Sequence, residues 1–267
     1  MVGGELPDAE RVQRAIEEEE FARGHIPPGS PPVEPRPAAT ICVARSTTRR
    51  FEVLLLERPL ESRFAAGAHV FPGGTVDPED SSAEAIDRVE GGPAGEPQAV
   101  FAALREAFEE TGLLPAAADA WPAALMAARA RRESLLDGSL TFVELLAESG
   151  VRLDASTVVY FSRWITPVQF SRRYDTRFFL ARHAGGEPEL TREHTAFAWL
   201  DPADALARFA AGRLPMLFPT RTTLELLDRF GSLDEVFHAF QGRTVKPILA
   251  ELIFEAGRVR PAPVVLE

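Results

Sequence analysis

Cysteine is almost missing from this chain of 267 residues: Cys42 stands alone, so no disulfide can close within it and a disulfide-stapled architecture is excluded. Because it lies in the apolar run 39–44, Cys42 reads as a small buried hydrophobe, not a nucleophile. No apolar run reaches the roughly 18 residues of a membrane-spanning helix, so no membrane partner is expected. The opening residues Met1, Val2, Gly3, Gly4 and Glu5 lack the basic-then-apolar pattern of a signal peptide. The closing Val265, Leu266 and Glu267 are no peroxisomal tripeptide, which makes a cytoplasmic location the default expectation. Positive charge is also scarce: 29 basic against 40 acidic side chains leave −11, and Lys246 is the only lysine. That balance disfavours a nucleic-acid partner, because duplex affinity rests on neutralising phosphates. It still admits a small anionic substrate held by a cation or by a local group of Arg.

What is present is ordinary globular material, 45% apolar and 26% charged, and enough of it to bury a core. Residues 1–37 read as an N-terminal segment: an acidic helix over 5–21 ending in Glu17 to Glu20, then an extended strap with prolines at 27, 28, 31, 32, 35 and 37. Residues 38–267 read as one domain carrying insertions at about 77–97 and 116–149. Apolar runs at 38–45 and 51–57 predict a strand pair, and a short strand before Phe71 runs into a Gly73-Gly74 turn. A helix is predicted from about Gln98 to Thr111, ended by Gly112 as a left-handed cap. The second insertion reads as two helices, the later one capped by Ser139. Strands follow at 157–165, 174–182 and 194–200, with helices at 202–211, 219–230 and 232–241 and a closing hairpin at 250–265. Interleaved strands and helices place the chain in the α/β class, with helices packed on a sheet.

The chemistry concentrates in Arg105-Glu106-Ala107-Phe108-Glu109-Glu110-Thr111-Gly112-Leu113. On a helix, Glu106, Glu109 and Glu110 stand at i, i+3 and i+4 and share one face. Like charges at this spacing repel by roughly 0.2–0.5 kcal/mol per pair on an exposed helix, and a cation reverses the sign. Hard carboxylate oxygens suit Mg²⁺ or Mn²⁺, which also take phosphate oxygens as ligands. The other face, with Phe101, Leu104, Ala107 and Phe108, is built to enter a core. Upstream, Gly73 and Gly74 let backbone approach a ligand closely.

At these residues the sequence resembles the Nudix hydrolase family, whose box reads G-x5-E-x7-R-E-U-x-E-E-x-G-U. Arg105 to Leu113 match its second half. Counting from Gly74, the first-half Glu position holds Asp80, and the expected Arg falls at 88 instead of 105, so the box is interrupted by an insertion. Together with Gly67-Ala68-His69-Val70-Phe71-Pro72-Gly73-Gly74, Trp164 to Pro167 and Arg172 to Leu180, this resembles the branch of the family that includes a peroxisomal enzyme cleaving coenzyme A and acyl-CoA. The resemblance implies an α/β/α sandwich with a mixed sheet, extended by an inserted helical region and C-terminal helices. It also implies a diphosphatase that uses Mg²⁺ or Mn²⁺ on a small-molecule diphosphate. Glu106, Glu109 and Glu110 would be ligands, joined by the carbonyl of Gly73, and Arg105 would orient the carboxylates. Glu109, Glu110 and Arg105 form the implied catalytic set. The general base would be a helix Glu or an acid beyond the box such as Glu193. Coenzyme A leads as substrate; nucleotide sugars, ADP-ribose, dinucleotides or a non-catalytic binding module are the alternatives, and a homodimer is left open.

Residues 162–182 carry Arg163, Arg172, Arg173, Arg177 and Arg182 against Asp175 alone. Arg172, Arg173 and Arg177 are the candidate phosphate clamp, since Arg grips phosphate oxygens in pairs, and Glu193 joins them as a candidate on the substrate side. The competing expectation is Arg on an outer strand face paired with acidic neighbours.

Overall fold

The structure, a computed structural model, describes residues 31–62, 65–115, 123–255 and 258–265. The predicted acidic helix over 5–21 and the first part of the proline strap lie outside the described residues, as do residues 116–122 of the second insertion. In chain order the elements begin with β1 (Arg36–Ser46), β2 (Phe51–Glu57), β3 (His69–Val70) and β4 (Gly73–Thr75). A 3₁₀ turn (Pro78–Ser81), α1 (Ala83–Asp87) and β5 (Val89–Glu90) lead to α2 (Pro97–Thr111). Then come α3 (Ala123–Ala130), α4 (Arg132–Leu136), α5 (Phe142–Ser149), β6 (Leu153–Asp154), β7 (Val158–Ile165) and β8 (Tyr174–Arg182). The chain closes with β9 (Ala196–Leu200), α6 (Pro202–Ala210), α7 (Phe218–Leu227), α8 (Leu233–Phe240), β10 (Ile248–Glu255) and β11 (Arg258–Val265).

The main sheet runs β11-β10-β7-β8-β1-β2-β3, with β4 added to β1 and β9 added to β2. It is mixed: β1 lies parallel to β8 but antiparallel to β2. Alternation along its central strands explains the layering. Ile41, Val43, Leu54 and Leu56 enter a core with α2 and α5, whereas Cys42, Ala44, Val53 and Leu55 enter a second core with α6, α7 and α8. Burial on both faces makes these strands read as continuous apolar runs. The result is the expected α/β/α sandwich, and Cys42 is buried in its second core.

Helix α2 is anchored as its sequence dictates. Phe101 and Phe108 are fully buried and pack on Phe142 of α5 with ring centroids 5.3 and 5.8 Å away. Each such ring contributes roughly 1.5–3 kcal/mol of burial. Pro97 sits in the first turn, and Gly112 ends the helix at φ 67°, with its N–H bonded to Phe108 O.

Three readings need correction. Gly73 and Gly74 are not a turn but strand β4, paired with Thr40 and Ala39 of β1. The second insertion has three described helices, not two, and its last is capped by Thr141 instead of Ser139. Thr141 forms a reciprocal capping box with Glu144, whereas Ser139 Oγ donates to Ser134 O. The proline strap also ends sooner than expected, since Arg36 and Pro37 already belong to β1.

Candidate active site

Helix α2 lies against β4, and that contact explains the two glycines. A Cβ on Gly73 would meet Ala39 O at 2.5 Å, and one on Gly74 would meet Glu106 Oε1 at 2.5 Å. The bare backbone therefore lets the carboxylates of α2 sit directly on the strand. Glu110 Oε2 accepts the Gly73 N–H at 3.2 Å.

Arg105 is the hub. Its Nε and Nη2 donate to the two oxygens of Asp80, both at 2.9 Å. Nη1 donates to Glu106 Oε1 at 2.9 Å and Glu109 Oε2 at 3.0 Å, and Nη2 also reaches Thr75 O at 3.0 Å. Asp80 in turn accepts from the Asp77 N–H at 2.8 Å. Asp80 thus occupies the interrupted first half of the box and still meets its Arg. The insertion leaves the site after this 3₁₀ turn and returns at Pro97. Burial works against the Arg105 charge, but Asp80, Glu106 and Glu109 outweigh it and raise its pKa further.

The three helix carboxylates are desolvated and crowded. Burial pushes Glu106 up to about 7, with Arg105 opposing and Glu109 adding to the rise. Burial raises Glu109 in the same way, again against Arg105. Glu110 is raised well above the ordinary range by burial, then by Glu106, with the Gly73 amide opposing and Glu193 contributing to the rise. Among the described residues, no three Asp, Glu, His or Cys side chains converge on one point as they stand. Arg105 holds Glu106 and Glu109, while Glu110 turns to the Gly73 amide. The fit to a hard divalent cation is one of donor chemistry and a shared helix face: hard oxygens, strained by mutual repulsion and lost water.

Stability against pH follows from these shifts. A buried carboxylate with a raised pKa binds its proton more tightly when folded, so its contribution is complete below about pH 4.5 and is lost as pH rises through about 7. His194, lowered to about 4, acts oppositely between about 4 and 6.5 and is neutral above. Above 6.5 the carboxylates therefore decide. In chelator, Glu106→Gln is expected to raise stability by about 1–3 kcal/mol at pH 8 and to change little at pH 5. Thermal melts at the two pH values measure this, and equal shifts at both would contradict the burial argument.

Arg172 apart, the structure gives the arginines of this segment partners within the protein, as the competing expectation has it. Arg163 is held in a two-point pair by Asp175 at 2.7 and 2.6 Å, and Arg177 pairs with Glu96 at 2.5 Å. Arg182 pairs with Asp234. Arg173 is buried and donates to Thr166 O at 3.0 Å and Val33 O at 2.7 Å, so it straps the chain together. Arg172 remains exposed, on the wall of a cavity of about 450 Å³ shared with Arg36 and Tyr174. Trp164 fills core space against Phe218. Glu193 is exposed, near enough to Glu110 to raise its pKa.

Two features lie beyond the sequence reading. Arg132 donates to Glu109 O at 2.7 Å and Arg129 to Gly112 O at 2.8 Å, so the second insertion caps the end of the acidic helix. His194, buried beside Glu110, is the second.

A mixed-sheet sandwich with three carboxylates on one helix face against a Gly-Gly strand defines the Nudix class of hydrolase folds. The comparisons agree. A family model described as the NUDT19 Nudix domain matches residues 94–224, and one described as the NUDIX domain matches residues 34–123. A crystal structure of a NUDIX hydrolase from Alicyclobacillus acidocaldarius is 31% identical with a TM-score of 0.69, covering 79% of this chain and 99% of that one. The chain belongs to the Nudix hydrolase family. It is also similar to the acyl-coenzyme A diphosphatase NUDT19 of Gallus gallus, 28% identical over 71% of this chain. The Homo sapiens protein of that name is 27% identical over 81% of this chain. The chain spans 64% and 68% of the length of these two relatives.

Proposed function

We propose that this protein is a cation-dependent diphosphatase that hydrolyses a nucleoside diphosphate linked to another moiety, with coenzyme A or an acyl-CoA as substrate. The observation that carries the reading is the set Glu106, Glu109 and Glu110 on one face of α2 beside β4, with Glu110 buried, the other two half-buried, and the charge of each disfavoured by loss of water. A pure binding module has no need for three desolvated acids on one face. Glu106, Glu109 and Glu110 would hold Mg²⁺ or Mn²⁺, with the Gly73 carbonyl as a further ligand. A cation held there would supply polarisation of the diphosphate and activation of the attacking water. Arg105 keeps Glu106 and Glu109 in place, and through Asp80 it ties the helix to the loop after β4. The Gly73 amide orients Glu110. A helix carboxylate, Glu109 or Glu110, accepts the proton of the attacking water, with Glu193 as the alternative base.

The substrate assignment is supported by residues 67–74 and by the relatives named as acyl-coenzyme A diphosphatases. No helix of the described residues is long and apolar enough to cross a membrane. Of the three clamp residues, Arg172 is the one left exposed for a 3′-phosphate, because Arg173 and Arg177 are engaged with the protein. Arg172→Ala is expected to lower kcat/KM for coenzyme A by roughly tenfold and to leave 3′-dephospho-coenzyme A unaffected. Steady-state kinetics on both substrates decide it. Equal losses on both would remove the phosphate contact and favour a nucleotide sugar, ADP-ribose or a dinucleotide.

A further inference from the structure

His194 differs from an ordinary core histidine. Its side chain is wholly buried, and neither ring nitrogen has a hydrogen-bond partner among the described residues. Buried polar atoms are normally paired. Nε2 stands 3.9 Å from Glu110 Oε1, while the opposite oxygen, Oε2, accepts the Gly73 N–H. The carboxylate is therefore flanked on one side by β4 and on the other by this imidazole. The backbone that carries the ring is pinned on both sides: His194 N–H donates to Thr191 O, Thr195 N–H donates to Glu57 O, and β9 pairs with β2 from Ala196 onward.

We propose that His194 is a positioning residue for Glu110, its Nε2–H holding the Oε1 side of the carboxylate while the Gly73 amide holds the other. The inference rests on the diphosphatase reading above. An imidazole has at least one ring N–H to give in either protonation state. The 3.9 Å gap is longer than a formed hydrogen bond, and contacts of this kind tighten when a site is loaded. Held from both ends, Glu110 keeps one orientation as it meets cation and substrate. His194 neither touches the reacting atoms nor transfers a proton; it acts through Glu110.

Two readouts test the proposal. The first is Mn²⁺ binding without substrate, followed by electron paramagnetic resonance. The second is the kinetics of cation-activated turnover. His194→Ala is expected to weaken Mn²⁺ binding and lower kcat by about tenfold each, with KM little changed. His194→Gln, which keeps an N–H at similar reach, should recover most of both. In a Glu110→Gln background, His194→Ala should cost less than about twofold, because the group it positions is gone. If His194→Ala unfolds the protein, His194→Met keeps the bulk without the N–H and takes its place. Wild-type Mn²⁺ affinity and kcat in the folded variant, or full additivity with Glu110→Gln, would overturn the proposal. A wild-type protein that binds Mn²⁺ but hydrolyses no diphosphate would defeat the diphosphatase reading instead, and Mn²⁺ affinity alone would then decide the role of His194.

Discussion

Glu110→Gln is expected to lower kcat by about 10³-fold, or about 4 kcal/mol of transition-state stabilisation, while the protein stays folded. The substitution keeps the size of the side chain and removes one buried negative charge that faces Glu106. Burial and Glu106 already disfavour that charge, so the metal-free variant should melt no lower than the wild type. Loss of activity without loss of stability is the signature of a group kept for chemistry and not for folding. Steady-state kinetics beside thermal melts measure both quantities. A variant retaining more than about a third of the wild-type rate would remove Glu110 from the site.

Arg105→Met should damage both fold and activity. Asp80 is 1% exposed, and its two carboxylate oxygens depend on this guanidinium. Breaking a buried pair by removing one partner costs about 3–5 kcal/mol, because the remaining charge is stranded. Glu106 and Glu109 would lose their common donor as well. Arg105→Lys should rescue little, since an ammonium cannot give two parallel bonds to Asp80 while reaching two further carboxylates. Asp80→Asn with Arg105→Met should be more stable than Arg105→Met alone, as the stranded charge is then removed. Denaturant melts of the three variants test this, and equal stability in all of them would show that the pair carries no weight.

The acidic helix was legible because three signals coincide in one short segment. The apolar face repeats at helical spacing, the Glu residues share the opposite face, and Gly112 supplies the left-handed end that the structure shows at φ 67°. The sandwich was legible from apolar runs buried on both faces, such as those around Ile41 and Leu54. What was not legible depended on partners distant in sequence. Arg177 looked available because Glu96, its partner, lies 81 positions away, and Asp234 lies 52 from Arg182. A local charge count cannot see such pairs. Asp80 was visible as an occupant of the box, but only its 3₁₀ turn shows that the insertion leaves after it. The helix caps from Arg129 and Arg132 have no local signal, since both reach carbonyls of another element. Thr141 does carry a local signal: Thr followed three residues later by Glu144 is a capping box, and it outranks Ser139.

The central claim is that the carboxylates of α2 serve a cation-dependent cleavage of a diphosphate. Its most direct measurement is incubation with coenzyme A, once with Mg²⁺ or Mn²⁺ and once with excess chelator, followed by identification of the products. The account predicts 4′-phosphopantetheine and adenosine 3′,5′-bisphosphate in equal amounts with the cation, and neither with chelator. Undiminished turnover in chelator, or no hydrolysis of coenzyme A or any other diphosphate with the cation present, would contradict it.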